Sequence, residues 1–356
     1  MKIMTVAGTR PELIRLSIII KKLDKLVDHT LVYTNQNYDY TLSGVFFEEL
    51  NIREPDYSFN SINGNTFGVF VASVFPAFER VLLKEQPDKI LILGDTNSGL
   101  LALLAKKHGI PVYHMEAGNR CFDERVPEEA NRRVIDTLST YNLPYTENSK
   151  ENLIREGYHK NFVFKIGNPI NEVLNNHTQD IAASQILYDL GLKPQNFVLV
   201  TTHRTENVDD PVSLRGIVTA INKIAERSHV VFSLHPRTKD KFDQFGVRIA
   251  SSVILSEPFG FFDFVKLEKE AKVVISDSGT VQEECCLFGV NTITIRRTTE
   301  RQETIECGSN ILSGTDSEKI LEIFNMIEAR EYDWFPPKDY MKPEVSDTVI
   351  NILLGR

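Results

Sequence analysis

The chain has 356 residues, 42% of them hydrophobic, enough to bury a large core and to divide into two domains. With 49 acidic against 40 basic residues the net charge is −9, which argues against nucleic acid or an anionic membrane surface as partner. No apolar run is long enough to span a bilayer, and the N-terminus shows no signal-peptide pattern.

Residues 1–170 alternate short apolar runs with amphipathic segments. Strands are expected at Lys2–Val6, His29–Tyr33, Lys89–Leu93, Pro111–His114 and near Tyr141–Thr146, with helices at Pro11–Leu26 and Gly68–Glu85. Residues Asn171–Gln195 follow the turn signal Asn168-Pro169, are only weakly patterned, and read as an interdomain linker. A second alternation follows: strands at Phe197–Thr201, His229–Leu234, Val253–Leu255, Val273–Ser276 and Thr292–Ile295, and helices at Val212–Arg227, Phe261–Glu270, Val281–Phe288 and Ser317–Ala329. A last amphipathic segment covers Val345–Leu354. The pattern predicts an α/β protein of two Rossmann-like domains, 1–170 and 171–339, facing each other across a cleft. The cysteines, Cys121, Cys285, Cys286 and Cys307, form no C-x-x-C pair, so neither zinc nor a disulfide framework is suggested and a reduced, cytoplasmic protein is expected.

The most charged connection is His114-Met115-Glu116-Ala117-Gly118-Asn119-Arg120-Cys121-Phe122-Asp123-Glu124-Arg125-Val126, between an apolar strand and a helix that Pro127 opens. In an open α/β sheet such a loop leaves the carboxyl end of a strand, where ligands sit. A solvated salt-bridge loop is the plain alternative. Gly8-Thr9-Arg10-Pro11-Glu12 is a strand-to-helix turn that aims Arg10 at the cleft, unless Arg10 is an ordinary surface arginine. Asp95, in Gly94-Asp95-Thr96-Asn97-Ser98, either caps the next helix or faces Glu116 as a second functional carboxylate, the two pushing each other's pKa apart.

In the second half, His203 with Arg204 ends the strand Phe197–Thr201, and His235-Pro236-Arg237 makes a second basic loop at the same edge. Ser276-Asp277-Ser278-Gly279-Thr280-Val281 is the clearest ligand signal: a strand ends, small residues turn, and a helix N-terminus offers N–H groups to an anion. Glu284 lies one turn inside that helix, able to accept from a ribose diol, while Arg296, Arg297 and Arg301 add positive charge for a diphosphate. An N-capped packing helix is the competing reading. Neither G-x-G-x-x-G nor G-K-[ST] occurs, which counts against a dinucleotide site and a Walker loop.

Together these motifs resemble the non-hydrolysing UDP-N-acetylglucosamine 2-epimerases, whose fold is GT-B-like. The carriers are Gly8-Thr9-Arg10-Pro11-Glu12, Gly94-Asp95-Thr96, Glu116-Ala117-Gly118, Pro127-Glu128-Glu129-Ala130-Asn131-Arg132, His203-Arg204, Asp277-Ser278-Gly279, Gln282-Glu283-Glu284 and Thr298-Thr299-Glu300-Arg301. The resemblance implies that Asp95, Glu116 and Glu128 are acid/base carboxylates around the sugar, with Arg132 and His203 in support. Arg10 and Arg15 would line the N-domain side of the nucleotide cleft, and Phe264 with the backbone near Phe259 would hold the uracil. Ser278, Gly279 and Thr280 would take the diphosphate with His235 nearby, Glu284 the ribose, and Arg301 the phosphates or sugar. It further implies a homodimer, a UDP-sugar substrate, no metal, no cofactor, and a tail helix that packs back on the N-domain.

The chemistry suits these residue types. The C2 proton of an amido sugar is too weakly acidic for direct removal. Elimination of UDP to a 2-acetamidoglucal and re-addition needs a carboxylate base, a second acid/base and strong stabilisation of the departing diphosphate. UDP-N-acetylglucosamine is the default substrate, and a GT-B glycosyltransferase or a nucleotide-sugar-binding protein are the alternatives of other classes. Two departures bear on specificity. Asn37 stands where relatives with a regulatory substrate site carry histidine, and the Asn35–Tyr40 and Asn119–Glu124 loops look more like relatives that turn UDP-6-deoxy-L-talosamine derivatives into UDP-N-acetyl-L-fucosamine. There Phe122 would suit a 6-deoxy methyl or be core.

Overall fold

The structure is a computed structural model that describes residues 1–35, 46–59, 66–329 and 333–355. The chain divides into two compact units: Met1–Asn175 together with Asp339–Arg356, and Asn176–Lys338. Each is a parallel six-stranded sheet with helical connections, the α/β class expected.

In the first unit the strands are β1 (Lys2–Ala7), β2 (Asp28–Tyr33), β3 (Tyr57–Ser58), β4 (Lys89–Leu93), β5 (Val112–Met115) and β6 (Tyr141–Leu143), in the order β3-β2-β1-β4-β5-β6. The second unit has β7 (Phe197–Thr201), β8 (His229–Ser233), β9 (Val253–Ser256), β10 (Val273–Ser276), β11 (Asn291–Thr294) and β12 (Asn310–Leu312), ordered β12-β11-β10-β7-β8-β9. The central strands read KILIL, FVLVT and VVIS, with almost every residue buried, because helices cover both faces of a parallel sheet. Each fully buried Ile, Val or Leu contributes about 1.5–3 kcal/mol to the fold.

Strand order decides where ligands go. The connections reverse direction between β1 and β4 in the first sheet and between β7 and β10 in the second. Outside the carboxyl ends of those pairs lies the crevice of an open α/β sheet. Gly8–Glu12 and Gly94–Thr96 leave one such point. Thr202–Arg204 and Asp277–Thr280 leave the other, with Thr201 and Ser276 in register.

The structure corrects several expectations. The weakly patterned stretch 171–195 is three short helices, Ile170–Asn176, Thr178–Ala183 and Ile186–Asp189, too brief for an amphipathic period to stand out. Strands β3 and β12 have two and three residues, below the length at which alternation shows. Phe122 is 67% exposed, so it is not core, and Arg133 lies over its ring. Cys286 Sγ and Cys307 Sγ lie 3.6 Å apart as free thiols, a proximity that their spacing concealed. Asn37 lies outside the described residues. Among the described residues, no helix is long and apolar enough to cross a membrane.

The final helix, Val345–Gly355, belongs to the first unit, where Glu172 accepts from Ser346 N at 2.8 Å and Ser346 Oγ at 2.5 Å. Lys22, on the helix Arg10–Leu26, pairs with Asp347 at 2.5 Å.

Candidate active site

Two clusters occupy the two switch points, and each is built from its own unit. In the first unit β4 and β5 run side by side with Leu93 opposite Met115, so Asp95 and Glu116 emerge at neighbouring strand ends. Glu116 turns out of β5 at φ 67°, a left-handed conformation uncommon for a non-glycine residue. Its buried carboxylate takes Arg15 Nη1 at 2.5 Å on Oε2 and Asn119 Nδ2 at 3.1 Å on Oε1. Asn119 is in turn fixed by Ser149 Oγ, which donates to its Oδ1 at 2.7 Å.

Asp95 does not cap the following 3-10 turn. Its Oδ2 accepts from Arg132, Nε at 2.8 Å and Nη2 at 2.7 Å. Arg132 also donates Nη1 to Glu129 Oε2 at 3.0 Å, so one buried guanidinium ties two carboxylates. Burial would raise the Glu129 carboxyl, but the Cys121 amide and the Arg132 charge outweigh it and hold the group below its ordinary value. Pro127 opens the helix Pro127–Leu138, placing Glu128 and Glu129 in its first turn, where the dipole favours negative charge. Asn131 Nδ2 donates to the Asp95 carbonyl at 2.9 Å and fastens this helix to the β4 loop. Glu128, half-buried, therefore stands at the same sheet edge as Asp95 and Glu116. Arg10 is the first residue of the helix Arg10–Leu26, with its guanidinium 5.3 Å from the Phe46 ring centroid.

In the second unit a wholly buried carboxylate, Asp277, organises the edge. It accepts from Thr202 Oγ1 at 2.6 Å, from the amides of His203 and Arg204, and from Asn207 Nδ2 at 3.0 Å. Burial pushes Asp277 upward, but the charge of His203 and these donors prevail and its pKa is lowered. His203 Nδ1 lies 3.5 Å from Asp277 Oδ1, and its ring centroid is 5.7 Å from that of His235. His235 caps the helix Pro236–Phe245, its Nδ1 accepting from Arg237 N at 3.2 Å. The other ring nitrogen is thereby the one left to carry a proton in the neutral ring.

Ser278 is the N-cap residue of the helix Gly279–Phe288, yet its hydroxyl makes no cap bond, so the capping reading is not what the structure shows. At Gly279 a Cβ would stand 2.9 Å from Glu300 Oε1. Thr280 occupies the same first turn, half-buried, and Glu284 is buried further along. Of the three arginines expected to face a diphosphate, two already hold carboxylates: Arg296 pairs with Glu300 at 2.8 Å and Arg301 with Glu283 at 2.5 Å. Phe259 and Phe264 are partly buried and pack against the core of this unit.

The sequence had not singled out Asp277, Glu129 and Asn119 individually. A carboxylate flanked by small residues at a strand end was the available signal for Asp277. Glu129 could have been found from its i,i+3 spacing to Arg132.

The family model described as UDP-N-acetylglucosamine 2-epimerase matches residues 21–354. The chain belongs to this family. It is 39% identical over 351 residues to a UDP-N-acetylglucosamine 2-epimerase of Methanocaldococcus jannaschii, covering 95% of each chain. It is 38% identical to a UDP-2,3-diacetamido-2,3-dideoxy-D-glucuronate 2-epimerase of Pseudomonas aeruginosa, covering 90% of this chain and 91% of that one. The structure of the M. jannaschii UDP-GlcNAc 2-epimerase in complex with UDP-GlcNAc and UDP superposes with a TM-score of 0.94 at 38% identity, covering 100% of both chains. For this epimerase family the GT-B-like pair of parallel sheets is the shared scaffold.

Proposed function

We propose that the protein is an isomerase that inverts C2 of a UDP-linked 2-acetamido sugar, interconverting UDP-N-acetylglucosamine and UDP-N-acetylmannosamine. The observation that carries this reading is the carboxylate–arginine edge of the first unit, in a chain of this epimerase family. Asp95, Glu116 and Glu128 exchange the C2 proton and assist the anomeric oxygen, Arg132 holding Asp95 and Arg15 holding Glu116. Arg10 supplies positive charge at the turn after β1. In the second unit Ser278, Gly279 and Thr280 receive the diphosphate at the helix N-terminus, with His203 and His235 beside them. Glu284 takes the ribose, Phe259 and Phe264 the base, and Arg301, through its pair with Glu283, shapes the phosphate loop.

The reaction runs by loss of UDP across C1–C2. A carboxylate takes the C2 proton, the C1–O bond breaks with its electron pair going to the diphosphate, and a 2-acetamidoglucal forms. Re-addition delivers a proton to the opposite face. The working form we propose is a cytoplasmic homodimer, its thiols kept reduced.

A second reading is favoured by the near-equal identity to the P. aeruginosa enzyme: a UDP-2,3-diacetamido-2,3-dideoxy-D-glucuronate substrate. Incubation of each UDP-sugar in D2O, read by proton NMR, tests both. Deuterium at C2 of UDP-N-acetylglucosamine with UDP-sugar retained supports the first. Exchange confined to the diacetamido acid, or to a 6-deoxy-L-talosamine derivative, overturns the substrate but not the chemistry. UDP release that needs an acceptor marks a transferase and overturns both.

A further inference from the structure

The helix Gly279–Phe288 starts at the turn proposed above for the diphosphate and carries Cys286 in its last turn. The short helix Gln302–Glu306 starts after Arg301 and ends at Cys307, its C-cap residue. Near the turn the two helices are tied by the ion pair of Arg301 Nε with Glu283 Oε1 at 2.5 Å. Behind it Gln282 Oε1 accepts from Thr299 Oγ1 at 2.7 Å and from Asn310 Nδ2 at 3.0 Å, and Asn310 Nδ2 also donates to Thr304 Oγ1 at 3.1 Å. At the far end the tie is a pair of free thiols, Cys286 Sγ and Cys307 Sγ, 3.6 Å apart. Cys286 is buried, while Cys307 is half-buried and also bonds Ser309 Oγ at 3.4 Å and the Thr304 carbonyl at 3.5 Å. Trp334, the chain's single tryptophan, donates Nε1 to the Cys286 carbonyl at 3.0 Å.

We propose that Cys286 and Cys307 are an oxidation site, closed to a disulfide by a peroxide, and that closure weakens the hold of the second unit on UDP. The effect on UDP rests on the nucleotide-site reading above; the disulfide does not. The thiolate is the attacking form, and the bond shared with Cys286 is the main cause of a lowered pKa at Cys307, burial opposing it. Cys307 thiolate attacks one peroxide oxygen, the O–O bond breaks, and the hydroxide released takes up a proton as water, leaving a sulfenic acid on Cys307. Cys286 sulfur then attacks that sulfur, the S–O bond breaks, and the Cys286 proton leaves with the hydroxyl as a second water. Both sulfurs are oxidised and the peroxide is reduced. A disulfide holds its sulfurs about 2.05 Å apart, so closure draws Cys307 toward its buried partner and off Ser309 and Thr304. Thr304 lies in the same short helix as the residue after Arg301 and shares Asn310 with Gln282, so the displacement is passed to the Arg301–Glu283 end.

The test treats the full chain with hydrogen peroxide, then measures intact mass, Trp334 fluorescence and UDP affinity by calorimetry, before and after dithiothreitol. Oxidised wild type should be lighter by two hydrogens, with Trp334 emission changed and UDP bound about fivefold or more weakly, the low end of coupling between two sites. Dithiothreitol should restore all three. Cys286→Ser and Cys307→Ser should each abolish the loss of two hydrogens and keep their UDP affinity through peroxide treatment. A wild type that gains oxygen without losing two hydrogens, or that loses them equally in either serine variant, overturns the proposal. So does a disulfide form that binds UDP as tightly as the reduced protein; the nucleotide site then stands. Reduced wild type that binds no UDP overturns the nucleotide-site reading and the switch together.

Discussion

Glu116 combines a backbone in the left-handed region with a carboxylate buried against Arg15 at 2.5 Å. Such a conformation costs about 1–3 kcal/mol and persists only where surroundings over-determine it. Here Arg15, Asn119 and the bond from Glu116 N to the Leu143 carbonyl do so. The pairing makes Arg15 a support for Glu116, the carboxylate proposed above as an acid/base group, which its place in the helix sequence did not reveal. Breaking a buried pair from one side strands the other charge. Arg15→Met should therefore destabilise the fold by about 3 kcal/mol in chemical denaturation. Arg15→Lys, which keeps the charge, should recover part of the loss. Equal stability of the methionine variant would show that Glu116 needs no cation.

At the scale of elements, what was readable is what the backbone writes locally. Pro127 announced its helix, Gly289 closed the helix Gly279–Phe288 in the left-handed conformation, and the continuous apolar runs gave the central strands. The capping box Thr9-x-x-Glu12 was also present as a pattern, yet the sequence could not show that the end of β4 would bring Thr96 to its carboxyl. Contacts between strands distant in sequence need the sheet order. Similarly, Arg301 looked like free charge because Glu283, on the helix Gly279–Phe288, meets it only after folding, whereas the Arg296–Glu300 pair was within reach at a spacing of four residues.

The loop after β5 is held by close approach as much as by charge. Gly118 has φ 78°, and a Cβ there would collide with the Ser149 carbonyl of the helix Glu147–Arg155. Gly118→Ala should cost about 1–3 kcal/mol through this clash. It should also lower exchange by displacing Asn119 and Glu116, while UDP affinity, which we propose lodges in the other unit, stays near wild type. An alanine variant with unchanged melting and exchange would mean that the loop yields without moving its carboxylate.

Across the whole molecule, one sheet edge gathers carboxylates with their arginines, and the other gathers backbone amides, imidazoles and a helix N-terminus. Each half was legible in outline because strand ends at a switch point are the natural place for ligands, whatever the side chains between. On the function proposed above, binding and chemistry fall to different units, and single substitutions should separate them. The direct measurement is C2 deuterium exchange together with UDP affinity in Glu116→Gln, which keeps the shape and an oxygen for Arg15. Exchange should fall about 10²–10⁴-fold, the range for loss of a positioned acid/base group, with UDP affinity within about threefold of wild type. Exchange at the wild-type rate, or a loss of UDP affinity in step with it, would contradict that division of labour.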